Sequence, residues 1–237
     1  MLTEVNDGEF VESHRVLRPF GPRIYRGKLS ADNLKFIQDF AELARKGQNI
    51  GDSLSGNIKD QNNSDIGDKA LENKIVDILI PHLQEWYKIE DTDRIHYMDE
   101  DDPELEKIKC VDYNTIRFHT GTGTWFNYMK ANEFNPLHAH TGDLSGILMV
   151  KVPKEIAKER EVFEIKSNAR SPGMLEWVHG EYGAGAYRIY PVEGELYLFD
   201  AQLRHQVYPF QSDVERITMS WNIFDVSFDT KMEINFG

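Results

Sequence analysis

One cysteine, Cys110, stands among 237 residues, which excludes an internal disulfide framework and any metal site built from several thiolates. A lone thiol fits a reducing compartment. Basic residues are short as well: 27 Lys and Arg against 40 Asp and Glu leave a formal net charge of -13. A nucleic-acid partner needs a basic face to displace phosphate counterions, so this balance argues against one. No apolar run reaches the length that crosses a bilayer, and the opening M-L-T-E-V-N-D-G-E-F lacks a basic and an apolar leader segment. The expectation is a soluble, cytoplasmic protein. Internal repeats and low-complexity tracts are also lacking, so one folding unit is expected.

Helical periodicity is confined to the first half. In residues 31 to 47, Leu34, Ile37, Ala41 and Ala44 recur at helical spacing, Phe40 and Leu43 widen the stripe, and Gly47 supplies a stop. Residues 48 to 67 are rich in Asn, Asp, Gly and Ser and read as a long loop. A second helix is expected over Asp68 to Ile89, with Leu71, Ile75, Ile78, Leu79, Leu83 and Trp86 on one face and a kink at Pro81. The acidic run near Tyr97 to Glu106 reads as a solvated surface; its spacing fits no calcium-binding loop.

From Lys109 onward the pattern shortens to alternating segments. Strands are expected at Cys110–His119, Thr124–Lys130, Leu144–Val152, Val162–Lys166, Ala186–Pro191, Glu195–Phe199, Gln206–Phe210 and Arg216–Phe224. Eight short strands after two helices predict a mainly β protein, a sandwich or barrel with helices on one outer face. The expected layout is a helical support region over 1–108 and a β core over 109–237.

The stretch N-P-L-H-A-H-T-G-D-L-S, Asn135 to Ser145, carries the first chemical signal. Residues i and i+2 of a strand share a face, so His138 and His140 can aim two imidazoles at one point, as a divalent iron, zinc, copper or nickel ion requires. Asp143 follows in the adjoining turn and brings a carboxylate near. Alone, the pair is equally compatible with hydrogen-bonded histidines at a strand end. A third histidine, His205, opens a later strand, and Arg216 lies eleven residues beyond it, a separation at which a hairpin returns beside its start. A buried guanidinium at that place needs an anionic partner, and its planar fork matches a carboxylate.

Taken together, these elements resemble the double-stranded β-helix oxygenases that depend on Fe(II) and 2-oxoglutarate, whose pattern is H-x-D…H…R-x-S. More narrowly, P-L-H-A-H-T-G-D-L-S-G-I-L-M-V-K-V-P, L-Y-L-F-D-A-Q-L-R-H-Q-V-Y-P and R-I-T-M-S-W-N are similar to a prolyl-hydroxylase-like branch that includes marine phage proteins. The resemblance runs from Trp125 to Phe224 and is specific only in combination. It implies a double-stranded β-helix (jelly-roll) core with His138 and His205 as catalytic iron ligands. The third ligand is either His140, which fills the carboxylate position of the motif, or Asp143 reaching in from the turn. Arg216 and Thr218 are the implied holders of the distal carboxylate of 2-oxoglutarate. Tyr128 and Asn127 are the upstream cosubstrate candidates, and since they point to opposite strand faces only one is expected to line the pocket.

The implied cofactors are Fe(II), 2-oxoglutarate and O2. The implied reaction hydroxylates an unidentified peptide, protein or small-molecule substrate, a proline side chain among the candidates, and releases succinate and CO2. The chain also departs from the branch. Leu148 and Met149 stand where it has Tyr-Tyr, Asp200 replaces a proline, and L-S-G-N-I at Leu54–Ile58 is similar to a stretch of the branch without assigned chemistry. Two rivals remain at this level. A cupin enzyme also uses H-x-H, but Leu144 and Ser145 stand where its glutamate would fall and Pro209 where its asparagine would. A non-catalytic metal- or ligand-binding β-barrel is the other. Of the other histidines, His119, on the strand before Gly121, reads as a core or rim histidine, with an approach to the site as the alternative, and Trp177, Tyr182, Tyr187 and Tyr190 are candidates for a substrate mouth or for core.

Overall fold

The structure is a computed structural model that describes residues 14–17, 21–121, 123–162, 171–180 and 185–231. Strands β1 (His14–Leu17) and β2 (Ile24–Lys28) lead into helix α1 (Ala31–Ala44), then β3 (Gln61–Asn63), α2 (Lys69–Ile95) and α3 (Pro103–Lys109). The rest is strand-rich: β4 (Val111–His119), β5 (Thr124–Met129), β6 (Asn135–His138), β7 (Leu144–Lys151), helix α4 (Lys154–Val162), β8 (Leu175–Val178), β9 (Ala186–Ile189), β10 (Glu195–Asp200), β11 (Arg204–Val207) and β12 (Arg216–Thr230).

Helix α1 starts where Ser30 Oγ accepts from the Asn33 N–H at 3.1 Å, satisfying one of the free donors of the first turn. It buries Ile37, Phe40, Ala41 and Ala44 of the stripe read from the sequence, while Leu34 is half-buried and Leu43 is exposed. Helix α2 is capped by Asp68, whose carboxylate accepts from Ala70 and Leu71, and it passes through Pro81 without ending. It continues to Ile95, six residues past the expected end at Ile89. That last stretch is polar and gains support from contacts that leave no periodic trace, such as Tyr113 Oη donating to Asp91 at 2.9 Å.

The strands form two antiparallel sheets. The larger has the order β1-β2-β10-β7-β12-β5-β3, with β4 pairing the far end of β12, and the smaller has the order β6-β11-β8-β9. From β5 to β12 the chain passes back and forth between them, which is the double-stranded β-helix arrangement without a closed barrel. Side-chain alternation gives the larger sheet two buried faces. Phe126, Tyr128, Leu148, Leu198, Ile217, Met219 and Trp221 turn outward and pack with α1 and α2 in one core cluster. Met129, Ile147, Met149, Tyr197 and Phe199 turn inward and meet Leu175, Trp177 and Val207 of the smaller sheet in a second.

Gly146 shows why the S-G pair of β7 is built as it is: a Cβ there would lie 2.1 Å from the Trp221 ring, which lies across the glycine. Several expectations change in detail: the loop expected over 48–67 contains β3, and the acidic run expected to be a solvated surface contains the start of α3 with Leu105 buried. The N-terminal support region supplies three strands of the larger sheet besides its helices. The strand expected over Val162–Lys166 instead finds Val162 closing helix α4, while 163–166 fall outside the described residues. Lastly, the strand expected at Gln206–Phe210 begins earlier, at Arg204, and ends at Val207.

Candidate active site

The three histidines converge at one end of the space between the sheets. His138 ends β6 and is the register partner of His205 in β11, so the pleat sends both rings to the same side. His140 follows just beyond the strand, fixed by its N–H donating to Ala201 O at 2.8 Å and by Gln202 Nε2 donating to its carbonyl at 2.9 Å. Ring centroids lie 4.8 Å apart for His138 and His140, 4.3 Å for His138 and His205, and 5.0 Å for His140 and His205. One ligand nitrogen from each of the three falls within 4.8 Å of the others.

Protonation and tautomer suit a metal. His138 Nδ1 lies 2.6 Å from Pro136 O, and His205 Nδ1 lies 3.0 Å from Leu203 O. A carbonyl oxygen only accepts, so each Nδ1 carries the proton and each Nε2 keeps its lone pair. Burial disfavours the imidazolium: it lowers the pKa of His138, pushes His140 down to about 4 and His205 down to about 3. Proximity of the rings adds to the depression at His140 and His205. Three neutral imidazoles therefore stand ready as donors, a set that fits Fe(II).

Asp143 is placed differently. It is exposed, and its backbone is pinned by its N–H to Ile223 O at 2.8 Å and its carbonyl to Ala201 N at 3.2 Å. Burial raises the pKa of Tyr87, a side chain of α2 packed against the outward core, and the charge of Asp143 adds to it. The group of potential ligands holds His140 and leaves Asp143 out.

Beside the histidines lies a cavity lined by Asn127, Asn135, Phe199, His205, Arg216, Thr218 and Ser220 among others. Arg216 opens β12 opposite Met129, and its guanidinium is 2 % exposed. One Nη donates to Gly173 O at 2.7 Å and the other lies 3.0 Å from Met129 Sδ, while Nε is buried without a partner. No carboxylate among the described residues pairs with it, and desolvation pushes its pKa down to about 10. A cation kept in this state is poised for an anion that arrives with a ligand.

Thr218 sits two residues further along the same inward face, cross-strand from Asn127. Asn127 Nδ2 donates to Thr218 Oγ1 at 3.1 Å and to Ser220 Oγ at 3.2 Å. Tyr128 points the other way: its hydroxyl donates to Ala41 O at 2.5 Å, and the Arg45 guanidinium lies 4.2 Å from its ring centre. Of the two upstream candidates, Asn127 lines the cavity and Tyr128 holds α1 to the sheet.

His119 is exposed at the end of β4 opposite Phe224, outside the trio. Trp177 is fully buried between the sheets, Tyr190 is exposed, and Tyr182 lies outside the described residues. Ser220, Asn135 and Gln61 were not picked out from the sequence. Ser220 continues the period-two series of Arg216 and Thr218, which was a usable signal. Gln61 belongs to a three-residue polar strand with no hydrophobic alternation to mark it.

Residues 123–222 match the family model described as "Putative 2OG-Fe(II) oxygenase". That segment contains all eight residues singled out above as candidate ligands or cosubstrate contacts. No curated protein matches the chain. Among solved structures, a Pseudomonas putida prolyl-4-hydroxylase aligns at 18% identity and a TM-score of 0.30, over 42% of this chain and 46% of its own. The match therefore spans about half of that hydroxylase. A 2OG-Fe(II) oxygenase family oxidoreductase from Burkholderia pseudomallei aligns at 10% identity and 0.43, over 83% and 79%. HygX from Streptomyces hygroscopicus, solved with nickel, 2-oxoglutarate and hygromycin B, aligns at 10% and 0.32, over 52% and 62%.

Proposed function

We propose, for a chain whose residues 123–222 match the 2OG-Fe(II) oxygenase model, that it is such an oxygenase, that His138, His140 and His205 hold Fe(II) and that Arg216 anchors 2-oxoglutarate beside it. The family implies Fe(II), 2-oxoglutarate and O2, and the activity is that of an oxidoreductase. The single observation that carries the reading is Arg216: a buried guanidinium without an acidic partner among the described residues, in the same cavity as His205. A cupin-type centre or an inert barrel has no use for that uncompensated charge.

The residues would divide the work as follows. The Nε2 lone pairs of His138 and His205, with one ring nitrogen of His140, would bind the metal on one side. Arg216 offers its fork to the distal carboxylate, and the hydroxyls of Thr218 and Ser220 stand on the same face to donate to it. Phe199, whose ring centre lies 4.8 Å from that of His205, walls the ligand from the deeper core and keeps water from the inner side of the site. When bound, Fe(II) with 2-oxoglutarate and O2 supplies the oxidising power for C–H hydroxylation, with succinate and CO2 as coproducts.

The substrate is proposed to be a peptide or protein side chain, proline among the choices, with a small molecule as the other class. No helix among the described residues is long and apolar enough to cross a membrane. Incubating the protein with Fe(II), 2-oxoglutarate and oxygen over peptide and metabolite panels, and following succinate, tests the activity. Succinate above the metal-free control supports the reading. Its absence with every panel overturns it.

A further inference from the structure

Gln61 is 1 % exposed and lies directly across from Asn127 in the β3–β5 pairing, so both amides share the inward face. Its Nε2 donates to Asn127 Oδ1 at 2.7 Å, and Asn127 Nδ2 passes the direction on to Thr218 Oγ1 and Ser220 Oγ. A primary amide has one accepting end and one donating end. Fixing the Asn127 oxygen on Gln61 therefore commits its NH2 to the two hydroxyls. Each hydroxyl oxygen then already accepts a hydrogen bond, and its own proton is left to point at something else. Both hydroxyls line the cavity that Arg216 enters.

From this chain of donors we infer that Gln61 is a positioning residue that sets the hydrogen-bond polarity of the cosubstrate cavity, turning the Thr218 and Ser220 protons toward the carboxylate held by Arg216. The inference rests on the function proposed above and extends it to a residue of the N-terminal segment, outside the matched residues 123–222. It also gives the L-S-G-N-I stretch, Leu54–Ile58, a physical role. A Cβ on Gly56 would lie 2.9 Å from Gln61 Nε2, and Ile58 lines the cavity itself. A side chain at residue 56 would therefore displace the Gln61 amide from its present place.

Without Gln61 the Asn127 amide is free to turn over. Its oxygen then accepts from Thr218 and Ser220, and their protons are lost to an incoming carboxylate. Gln61→Glu forces that reversal, because an ionised carboxylate accepts and cannot donate to Asn127 Oδ1. Gln61→Leu merely permits it. The two replacements are close in size, so they separate polarity from packing.

The test is calorimetric titration of 2-oxoglutarate into Mn(II)-loaded full-length protein, with Mn(II) affinity measured separately. Expected is 2-oxoglutarate binding weaker by about tenfold in Gln61→Leu and by more in Gln61→Glu, the size of one or more lost hydrogen bonds to a charged group. Mn(II) affinity stays within about twofold, since neither change reaches the imidazoles. Gly56→Ala, a loop substitution with an ordinary backbone angle, is expected to reproduce the defect if either Gln61 variant fails to fold. In a Thr218→Val, Ser220→Ala background the Gln61→Glu change should cost nothing further, because the hydroxyls it acts through are gone. Wild-type affinity in both Gln61→Glu and Gly56→Ala, or a full additional loss in the double-hydroxyl background, overturns the role of Gln61 alone. If the unsubstituted Mn(II) protein binds no 2-oxoglutarate, the proposed function falls and this inference with it.

Discussion

His205 and His138 are register partners across β11 and β6, and their ring centres stand 4.3 Å apart. The backbone pairing of two edge-to-edge strand ends thus fixes the distance between two ligands. His140, beyond the end of β6, is placed by loop hydrogen bonds instead. The two kinds of support lead to different consequences when a ligand is changed.

His140→Ala is expected to lower Fe(II) affinity by at least about tenfold, since it removes one of three donors rather than a supporting contact. Asp143→Asn is expected to leave it unchanged, because that carboxylate is exposed and lies outside the group of potential ligands. Iron content after anaerobic loading and desalting, measured for both variants, checks this. The reverse order would give the third place to Asp143.

Arg216 leads to a prediction with two opposite signs. Its charge is buried with no anionic partner among the described residues, so Arg216→Met is expected to leave the ligand-free form as stable or stabilise it by about 1 kcal/mol or more. The same change should weaken 2-oxoglutarate binding by about 2–5 kcal/mol, the usual cost of removing one partner of a buried charge pair. Thermal unfolding with and without 2-oxoglutarate, in the presence of Mn(II), reads both. Loss of stability in the ligand-free form would show that Arg216 is a structural cation.

Acid should act on the metal-free protein through the histidine trio. The folded-state pKa values of His138, His140 and His205 lie below the ordinary value, while in the unfolded chain they return to near 6.5. The unfolded state therefore binds more protons below about pH 6.5. Stability from these groups is complete above that value and falls progressively as the pH drops toward 4 for His140 and 3 for His205. Denaturant midpoints measured from pH 7.5 to 4 should decline in this window, and less steeply in a His140→Gln, His205→Gln double variant. An equal slope in both proteins would contradict it.

Gly146→Ala is expected to destabilise by about 1–3 kcal/mol or more, because the added methyl meets the Trp221 ring and neither strand can retreat in the middle of the larger sheet. Urea unfolding measures it, and a neutral effect would mean that the ring can turn aside.

The parts legible in the sequence are those with a local period or a tight chemical spacing. His138 and His140 announce themselves two residues apart, and the strand carrying Arg216 and Thr218 alternates clearly. The outward and inward faces of the first half of β12 follow from the same alternation. The strand β3 was hidden because Gln-Asn-Asn has no apolar member; its place is set by pairing with β5 far along the chain. Helix α2 runs past its stripe for the same reason, tertiary contacts carrying what local pattern does not. The choice between Tyr128 and Asn127 needed the pleat direction of β5, and that between His140 and Asp143 needed the path of the turn. Neither is encoded in spacing alone.

The central claim is that one cavity receives Fe(II) on three imidazoles and 2-oxoglutarate on Arg216 at the same time. Its most direct test is an anaerobic titration of the Fe(II)-loaded protein with 2-oxoglutarate, followed by visible absorption, with His140→Ala and Arg216→Met alongside. A metal-to-ligand charge-transfer band that grows to saturation in the unsubstituted protein and is lost or strongly weakened in both variants is the predicted result. No band in the fully iron-loaded protein, or a band untouched by Arg216→Met, would contradict it.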